Sequence, residues 1–397
     1  MQDATTPATH PRIPRTIWAL GFVSLFMDMS SELVHSLLPV LLATGLGASA
    51  LAIGLIEGSA EGLVMVTKVF SGYISDAVGK RKPLVLIGYG LAAASKPLFP
   101  LASSVAAVAT ARLIDRFGKG IRGAPRDAMV GELAPPSIRG ACFGLRQSMD
   151  TVGAVLGPLL AMLGLWLLAD NLRAVLWIAV VPAVLCVLLL IFAVPEPDHE
   201  TKPARLPITR EGFARLGAEY WRLVALGGVI ALARFSEAFL VLRASGLGLP
   251  LPLIPLVLVV MSVVYTFTAY PVGKLSDRMP RHILLALGML VLAAADAVLA
   301  LAHGNVALFA GIALWGLHMG MTQGLLATLV ADTTPTAYRG TAFGVFNLVS
   351  GIALLAASAA AGALWDAFGP WAAFAAGGVL CVVSAALAMR RPVVARA

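Results

Sequence analysis

Long apolar runs alternate with short charged or Gly/Pro-rich breaks along almost the whole chain. Crossing a bilayer takes about 20 apolar residues per helix, and twelve of the runs are long enough. We expect helices, because an open sheet edge cannot be satisfied in lipid and the alternating pattern of a membrane barrel is absent. The predicted spans are 16–43, 49–73, 84–103, 105–129, 139–165, 172–193, 221–244, 249–273, 283–302, 305–331, 338–364 and 370–389.

The turn between the second and third runs, Gly72–Pro83, has a weaker copy in the second half of the chain. Gly72 and Asp76 recur as Gly273 and Asp277, at an offset of 201 residues (273 minus 72). A repeat over such a distance indicates that the second half of the chain is built like the first.

A second repeated segment supports the same division. ELAPPSIRGACFG, from Glu132, matches DTTPTAYRGTAFG, from Asp332, at an offset of 200 residues (332 minus 132), so Arg139 corresponds to Arg339. Duplicated halves are expected to enclose a cavity at their interface. We therefore predict an all-α membrane protein with twelve transmembrane helices in two pseudo-symmetric six-helix bundles. The bundles are expected at 1–193 and 221–397, joined by a cytoplasmic linker at 194–220.

The composition agrees with a protein embedded in lipid. Of the 397 residues, 59% are hydrophobic and 13% are charged, and the mean hydropathy is +0.88. The net charge of +8 would suggest a nucleic-acid partner for a soluble chain, but most Lys and Arg residues fall here on alternate loops, as the positive-inside rule describes. We expect a multi-pass inner-membrane protein with both termini in the cytoplasm and no nucleic-acid partner.

No segment of the sequence indicates an enzyme, a cofactor or a metal site. The three cysteines lie within apolar runs, and no hydrolase or metalloprotease motif is present. Gly118, Gly120 and Gly123 spell GxGxxG, but they lie in a charged membrane helix with no strand before it, so close helix packing or a bend is expected. The expected partners are a small-molecule substrate, protons and the lipid bilayer, and the expected state is a monomer.

The first copy of the repeated turn carries a known family signature. The chain resembles the major facilitator superfamily, whose motif between its second and third helices is G-x-x-x-D-x-x-G-[RK]-[RK]. The second copy departs from the motif, with Pro280 in place of its second glycine. The first copy is complete at Gly72, Asp76, Gly79, Lys80 and Arg81.

Two further motifs resemble those of the drug/proton antiporter branch of that family. The helix 4 motif R-x-x-Q-G is matched at Arg116 and Gly120, with Lys119 in place of glutamine. The helix 5 motif G-x-x-x-G-P-x-x-G-G keeps its first half, but Ala161 and Met162 replace its last two glycines. The part that is kept consists of Gly153, Gly157 and Pro158.

The fourth predicted helix carries a basic stripe. Its charged residues follow spacings of three and four, which puts them near one helical face. An ionisable side chain at mid-bilayer costs at least about 2.5 kcal/mol, so the stripe must face a watered cavity or paired carboxylates. We expect the deeper Arg112 and Arg116 to pair with proton-carrying acids or to receive an anion, and Arg122, Arg126 and Asp127 to form a structural network. The stripe comprises Arg112, Asp115, Arg116, Lys119, Arg122 and Arg126.

The first predicted helix supplies acidic partners. Asp28 and Glu32 are four residues apart, with His35 on the same side. Two carboxylates close together in a low-dielectric setting repel each other, which favours proton binding by one of them. We predict Asp28 and Glu32 as proton-coupling residues together with Arg112 and Arg116, and the resemblance agrees, since acids in helix 1 often couple protons in the antiporter branch. The alternative is that both acids merely neutralise those arginines.

The second half carries fewer charges on the corresponding helices. Arg234 and Glu237 are expected to pair with each other, whereas Asp150 and Asp296 are expected to be isolated acids. Aromatic and weakly polar side chains on helices 8 and 10 suit an amphipathic substrate. The predicted cavity residues are His35, Asp115, Lys119, Glu237, Tyr265, Trp315, His318 and Gln323.

The resemblance implies that the signature turn is a conformational latch. In the family this turn helps to hold the outward-facing state by docking against the ends of helices 4 and 11. Arg81 is expected to pair with Asp127 or Glu132, and Asp76 to face the helix that begins near Arg339. The predicted latch residues are Gly72, Asp76, Gly79, Arg81, Asp127, Asp277, Arg139 and Arg339.

Together these features predict a secondary transporter that works by alternating access and exports a small organic compound in exchange for protons. One alternative is an organic-anion or phosphate-ester carrier that uses Arg112, Arg116 and Lys119 as its anion seat. Another is a membrane receptor that binds a ligand without moving it, or an intramembrane enzyme.

Overall fold

The computed structural model describes residues 12–197, 213–276, 278–335 and 338–390, and within them the protein is helical. Twelve membrane spans confirm the predicted fold class. We number them α1 (Arg15–Val40), α2 (Ala50–Val78), α3 (Lys82–Ser95 and Leu98–Leu101), α4 (Val105–Leu133), α5 (Arg139–Leu167), α6 (Leu172–Ile178 and Val180–Ala193), α7 (Ala218–Ala233 and Ala238–Gly246), α8 (Leu256–Ser276), α9 (Arg281–Ala300), α10 (Asn305–Asp332), α11 (Arg339–Phe368) and α12 (Pro370–Arg390).

Eleven of these spans are long and apolar enough to cross a membrane by length and composition alone. The exception is α4, which has the length but carries the basic stripe. The stripe is accommodated because α4 packs between α2 and α3 and keeps most of its charged side chains away from lipid. The central part of the predicted linker, residues 198–212, lies outside the described residues, as does Asp277.

Helix ends follow local rules of capping. Ser49 and Ser104 accept hydrogen bonds from the first turns of α2 and α4 through their hydroxyl groups. At the other end of α2, Gly79 adopts a left-handed conformation with φ of +67° and closes the helix by donating its N–H to the Ser75 carbonyl. A side chain at this position would be strained, which explains the second glycine of the signature turn.

The spans form two bundles that contact each other along three helix pairs. In the first bundle α1 packs against α5 and α6, and α4 against α2 and α3; in the second, α7 packs against α11 and α12, and α9 against α10 and α12. The bundles meet where α2 faces α11, where α5 faces α8 and where α1 faces α7. This is the arrangement expected for duplicated halves around a central cavity.

The α2–α11 contact is tight at one end of the molecule. A Cβ added at Gly54 would lie 2.1 Å from the Ser358 carbonyl oxygen, and one added at Gly362 would lie 2.5 Å from that of Ala50. Asp366, near the end of α11, accepts hydrogen bonds from the first N–H groups of α2, at 2.9 Å from the Ala50 nitrogen and 2.8 Å from that of Leu51. We call this contact the closed seam.

The signature turn lies at the opposite end, which we call the basic end. The hydrogen bonds from Ala50 and Leu51 to Asp366 join the bundles at the closed seam, away from this end. Arg339 at the start of α11 and Val78 at the end of α2 are exposed there. The structure is therefore the conformation in which the bundles separate toward the basic end.

Candidate functional site

A cavity in two adjoining lobes lies between the bundles. The smaller lobe has a volume of about 340 Å³ and is bounded by α1, α4, α5 and α8. The larger has a volume of about 680 Å³ and is bounded by α2, α7, α10 and α11. Four charged residues line both lobes and so mark their junction: Glu32, Lys68, Lys119 and Glu237. Volumes of this size suit a small organic ligand.

The two acids of α1 both face this cavity but differ in their partners. A Glu32 carboxylate oxygen lies 3.2 Å from His35 Nδ1, and His35 Nε2 in turn lies 3.8 Å from Glu57. Asp28 is half-buried and has no hydrogen bond or ion pair within the described part of the chain. Neither acid pairs with Arg112 or Arg116, so direct neutralisation of those arginines does not explain them.

The helix 5 motif sits directly behind these acids. A Cβ added at Gly153 would lie 2.5 Å from the Leu25 carbonyl oxygen and 3.2 Å from the Cβ of Asp28. At Gly157 the corresponding distances are 2.5 Å to the Met29 carbonyl oxygen and 3.1 Å to the Cβ of Glu32. The two glycines therefore let α5 approach α1 closely and fix the face that carries the acids.

Arg112 is buried behind the cavity wall and pairs with Glu57 rather than with Asp28 or Glu32, so its role in proton coupling stays a prediction. Its Nη2 lies 2.6 Å from a Glu57 carboxylate oxygen, and both side chains are sealed from solvent. Its neighbour Asp115 is bound 2.7 Å from the Nζ of Lys96, a fully buried lysine that also donates to Ser31 at 2.9 Å. Arg112 and Asp115 thus belong to a buried ion-pair network, since a charge in such a place must be paired.

Arg116 joins that network to the cavity wall. Its Nη1 lies 3.2 Å from Glu61, and its Nε lies 3.4 Å from Asp115. Glu57 and Glu61 of α2 are therefore both paired with arginines of the stripe. Lys96 was missed in the sequence, although a lone lysine at the end of an apolar run, just before Pro97, was an available signal.

A second network lies nearer the basic end. Arg146 on α5 binds Asp150 at 2.6 Å and approaches Asp127 at 3.6 Å, while Arg126 lies 3.2 Å from Asp127 and 3.8 Å from Asp150. Asp150, expected to be isolated, is therefore paired; sequence reasoning overlooked Arg146, which is four residues before it on the same face. The guanidinium of Arg122 lies 4.5 Å above the ring of Tyr89.

The second bundle contributes a break in α7. The helix stops at Ala233 and resumes at Ala238, and the non-helical backbone between them is held partly by a buried 3.1 Å hydrogen bond from the Ser236 N–H to the Ser358 hydroxyl. Arg234 and Glu237 flank the break and lie 3.8 Å apart, so the pairing predicted for them is confirmed. Irregular backbone at this depth is tolerated where it lines a water-filled cavity.

Of the aromatic and weakly polar residues predicted for the cavity, some line it and others do not. Tyr265 and Gln323 lie on its wall, in the smaller and the larger lobe respectively. Trp315 is fully buried against Phe235, with ring centroids 5.3 Å apart, and His318 is buried with Nδ1 2.8 Å from the Gly288 carbonyl oxygen. These two residues stabilise the second bundle rather than line the cavity.

Among the described residues, the signature turn is held by side chains of the first bundle and by Glu196 just after α6, whose carboxylate accepts from the N–H groups of Arg81 and Lys82. Arg81 lies 2.7 Å from Glu132 at the end of α4 and 2.9 Å from Asp76, as expected for one of its two candidate partners. Burial opposes the charge of Arg81, but the hydrogen bonds with Glu132 and Asp76 outweigh it and raise the pKa of its guanidinium. Asp127 pairs with α4 and α5 residues instead.

The other latch residues are more loosely placed. Arg139 and Arg339 are exposed. Gly72 packs on α4, where an added Cβ would lie 3.3 Å from that of Ala124. No group of three His, Cys, Asp or Glu side chains suited to a metal ion occurs among the described residues.

Comparison with known proteins gives a consistent result along the whole chain. The family model of the Major Facilitator Superfamily matches residues 20–244 and 223–396. The MFS-type transporter MJ1317 of Methanocaldococcus jannaschii is 32% identical over 382 residues, which cover 94% of each protein. The multidrug resistance protein MdtH of Cronobacter sakazakii is 26% identical over 357 residues, covering 89% of this chain and 84% of MdtH.

Solved structures share the fold at low sequence identity. The crystal structure of the nucleoside transporter NupG superposes with a TM-score of 0.78 at 14% identity, covering 94% of this chain and 98% of NupG. At that identity the likeness concerns the fold alone. The matching family model, the relative above 30% identity and the two bundles around a cavity lead to one conclusion: the chain belongs to the major facilitator superfamily and is a multi-pass membrane transporter rather than an enzyme.

Proposed function

We propose that the protein exports a small organic compound across the cytoplasmic membrane in exchange for protons, with Asp28 and Glu32 as the proton-coupling acids. The observation that carries this proposal is the state of Asp28. Of the six carboxylates that line the cavity, it is the one with no ion-pair or hydrogen-bond partner among the described residues. A carboxylate in that setting is free to bind and release a proton as the cavity changes sides.

Glu32 has a different part in the proposal. Through His35 it is linked to Glu57 and so to the buried Arg112, which ties the junction of the lobes to the inner network. A proton bound by Glu32 removes one negative charge from this series of contacts. This gives the protonation state of the cavity a path to the packing of α1, α2 and α4.

The direction of transport and the orientation rest on separate arguments. Lys and Arg residues concentrate at the basic end, which we therefore assign to the cytoplasm together with both termini and the linker at 194–220. The bundles are assigned to 1–193 and 221–397. Export is supported by the similarity to MdtH, a multidrug resistance protein, and by the helix 5 motif.

The test is a compound panel on everted membrane vesicles that hold a preformed proton gradient. Compounds that dissipate the gradient in a protein-dependent way are substrates of an exchanger. Asp28→Asn and Glu32→Gln should abolish this dissipation, whereas the control Asp170→Asn, at an exposed position outside the cavity, should leave it intact. Full activity in both cavity variants would refute the assignment of the proton sites.

An anion carrier is the second candidate, and the structure narrows its possible seat. Arg112 and Arg116 already have carboxylate partners, whereas Lys119 has none among the described residues. Removing the charge of Arg112 is therefore expected to affect stability, and removing that of Lys119 to affect anion binding. An anion that still binds Lys119→Gln with unchanged affinity would exclude this candidate.

A further inference from the structure

Three charged groups on the cavity wall have no hydrogen-bond or ion-pair partner among the described side chains. Every other charged side chain on its wall has a carboxylate, guanidinium or imidazole partner, apart from Arg122, which lies over the ring of Tyr89. The remaining groups, without hydrogen-bond or ion-pair partners among the described side chains, are the carboxylate of Asp28 and the ammonium groups of Lys68 and Lys119. Charges left unpaired in a cavity are available to a ligand.

These three groups share one region of the cavity. Lys68 of α2 and Lys119 of α4 line both lobes, so they stand at the junction, and Asp28 of α1 lines the smaller lobe beside them. The side chain of Lys68 reaches toward α4, since its Cδ and Cε would lie 3.6 Å from a Cβ added at Gly123. One small molecule at the junction is therefore within reach of both positive groups and the negative one.

The wall that faces them is largely apolar. Its apolar residues are Leu258, Met261, Tyr265 and Met319 in the smaller lobe, beside Ser262, and include Phe343 and Phe346 in the larger. The charged residues on this wall, Arg234 and Glu237, are paired with each other. A ligand that fits both sides has charged groups at one end and a hydrophobic body at the other.

We propose that the transported compound is dipolar, with an acid group bound between Lys68 and Lys119, an amine bound to Asp28, and an apolar body against α8, α10 and α11. A simple anion would leave Asp28 facing it unpaired, and a simple cation would face two lysines. That such a compound is transported rests on the proposed function. Its binding to the protein can be measured without a proton gradient.

The same arrangement explains how the compound could be exchanged for a proton at Asp28. The amine and a proton both neutralise the same carboxylate, so each displaces the other, which is the competition that antiport requires. The charged groups around Asp28 are Lys119, Arg122 and Arg126 of α4 and Asp150 of α5. Of these, Arg126 and Asp150 are already paired, so Lys119 is the neighbour whose charge a bound acid group would balance.

The test uses matched probes on the purified full-length protein in detergent. Two apolar bodies are each offered in dipolar, amine-only and acid-only forms: phenylalanine, phenylethylamine and phenylpropanoate, then tryptophan, tryptamine and indolepropanoate. Affinity is read from the concentration dependence of the thermal unfolding midpoint. The variants are Lys68→Gln, Lys119→Gln and Asp28→Asn, with Arg215→Gln, an exposed charge outside the cavity, as the control.

For at least one body the dipolar form is expected to bind about tenfold more tightly than either single-charge form, since a lost charge-assisted hydrogen bond costs about that factor. Both lysine variants should bind the dipolar form only as tightly as the wild type binds the amine-only form. Asp28→Asn should bind it only as tightly as the wild type binds the acid-only form, and Arg215→Gln should bind all forms like the wild type. The proposal is overturned if single-charge forms bind as well as dipolar ones, if no form binds, or if the lysine variants bind unchanged.

Failure of this test and failure of the proposed function give different results. If the vesicle panel finds exchanged compounds that are plain amines or acids, the dipolar substrate class is wrong and proton-coupled export stands. If dipolar probes bind but never dissipate a proton gradient, the ligand class stands and the exchange mechanism is wrong.

Discussion

At the scale of single residues, the pair of Arg112 and Glu57 has the clearest consequence. Both side chains are fully buried, with a 2.6 Å contact between them. Glu57→Gln removes the nearest counter-charge of the buried guanidinium and leaves only the Asp115 carboxylate, 4.0 Å away and already bound to Lys96, so we expect a loss of about 3 kcal/mol in the free energy of unfolding. Thermal unfolding in detergent measures it, with the exposed Glu219→Gln as a control that should unfold like the wild type.

A double variant separates pairing from simple packing. In Glu57→Gln combined with Arg112→Gln both charges are gone, so much of the lost stability should return. A double variant that is no more stable than Glu57→Gln would contradict the ion-pair explanation. That result would mean that the loss of stability comes from the changed shape of the side chains rather than from the unpaired charge.

Individual residues also show what the sequence could predict at this scale. The spacing of the α4 stripe implied either a watered cavity or paired carboxylates, because an unpaired arginine in lipid is too costly, and the structure contains both. The partner of each cation could not be derived, since Glu57 and Arg112 are 55 residues apart and meet only through the packing of α2 on α4. Lys96 and Arg146, overlooked as single charges, complete both networks.

At the scale of helices, the α1–α5 contact predicts the effect of one methyl group. Gly157→Ala would place a Cβ 2.5 Å from the Met29 carbonyl oxygen, so α1 must move and carry Glu32 with it. We expect roughly 1–3 kcal/mol of lost stability together with reduced proton-driven transport. The vesicle assay and thermal unfolding measure the two effects.

The same helix provides the control for that change. Gly144 of α5 has no atom within 4 Å of an added Cβ, so Gly144→Ala should fold and transport like the wild type. Equal behaviour of the two alanine variants would mean that the α1–α5 approach is not needed to position the acids.

The hydrogen bonds of Asp366 are expected to hold the closed seam together. Asp366→Ala removes two hydrogen bonds from the start of α2, a loss of about 0.5–2 kcal/mol that falls on a contact between the bundles. The equilibrium should shift toward the conformation open at that end. In a variant without the three native cysteines, a cysteine at the buried Ser358 should react several-fold faster with a water-soluble maleimide when Asp366 is replaced.

The control is Asp170→Asn, which removes an exposed carboxylate outside the seam and suits the left-handed backbone at that position. It should leave the labelling rate at Ser358→Cys unchanged. If Asp366→Ala has the same rate as this control, Asp366 does not hold the seam.

The break in α7 marks the limit of prediction at this scale. Periodicity placed an uninterrupted span at 221–244, because Arg234 to Glu237 contain no proline or glycine that would stop a helix. The interruption is stabilised by tertiary contacts such as the Ser236–Ser358 hydrogen bond, which no local pattern encodes. The other predicted span limits agree with the structure to within several residues.

At the scale of the whole molecule, the internal repeat predicted two bundles and a cavity, and both are present. The end at which the bundles close was not predictable, because it depends on a small free-energy difference between two packings of the same helices. The structure shows the closed seam formed and the signature turn bound to Glu132 through Arg81 and to Glu196 through the N–H groups of Arg81 and Lys82. The docking of this turn on α11, which the family resemblance implies, stays a prediction for the opposite conformation.

The proposed activity of the whole protein is the exchange of a small organic compound for protons. Reconstitution of the purified protein into liposomes tests this exchange most directly. A compound from the vesicle panel is loaded on one side, and an enclosed pH-sensitive dye reports proton movement with no other energy source. We predict that the compound gradient alone drives protons in the opposite direction, and that Asp28→Asn abolishes this movement. Compound flux without proton flux, proton flux in the same direction, or binding without any flux would contradict the account.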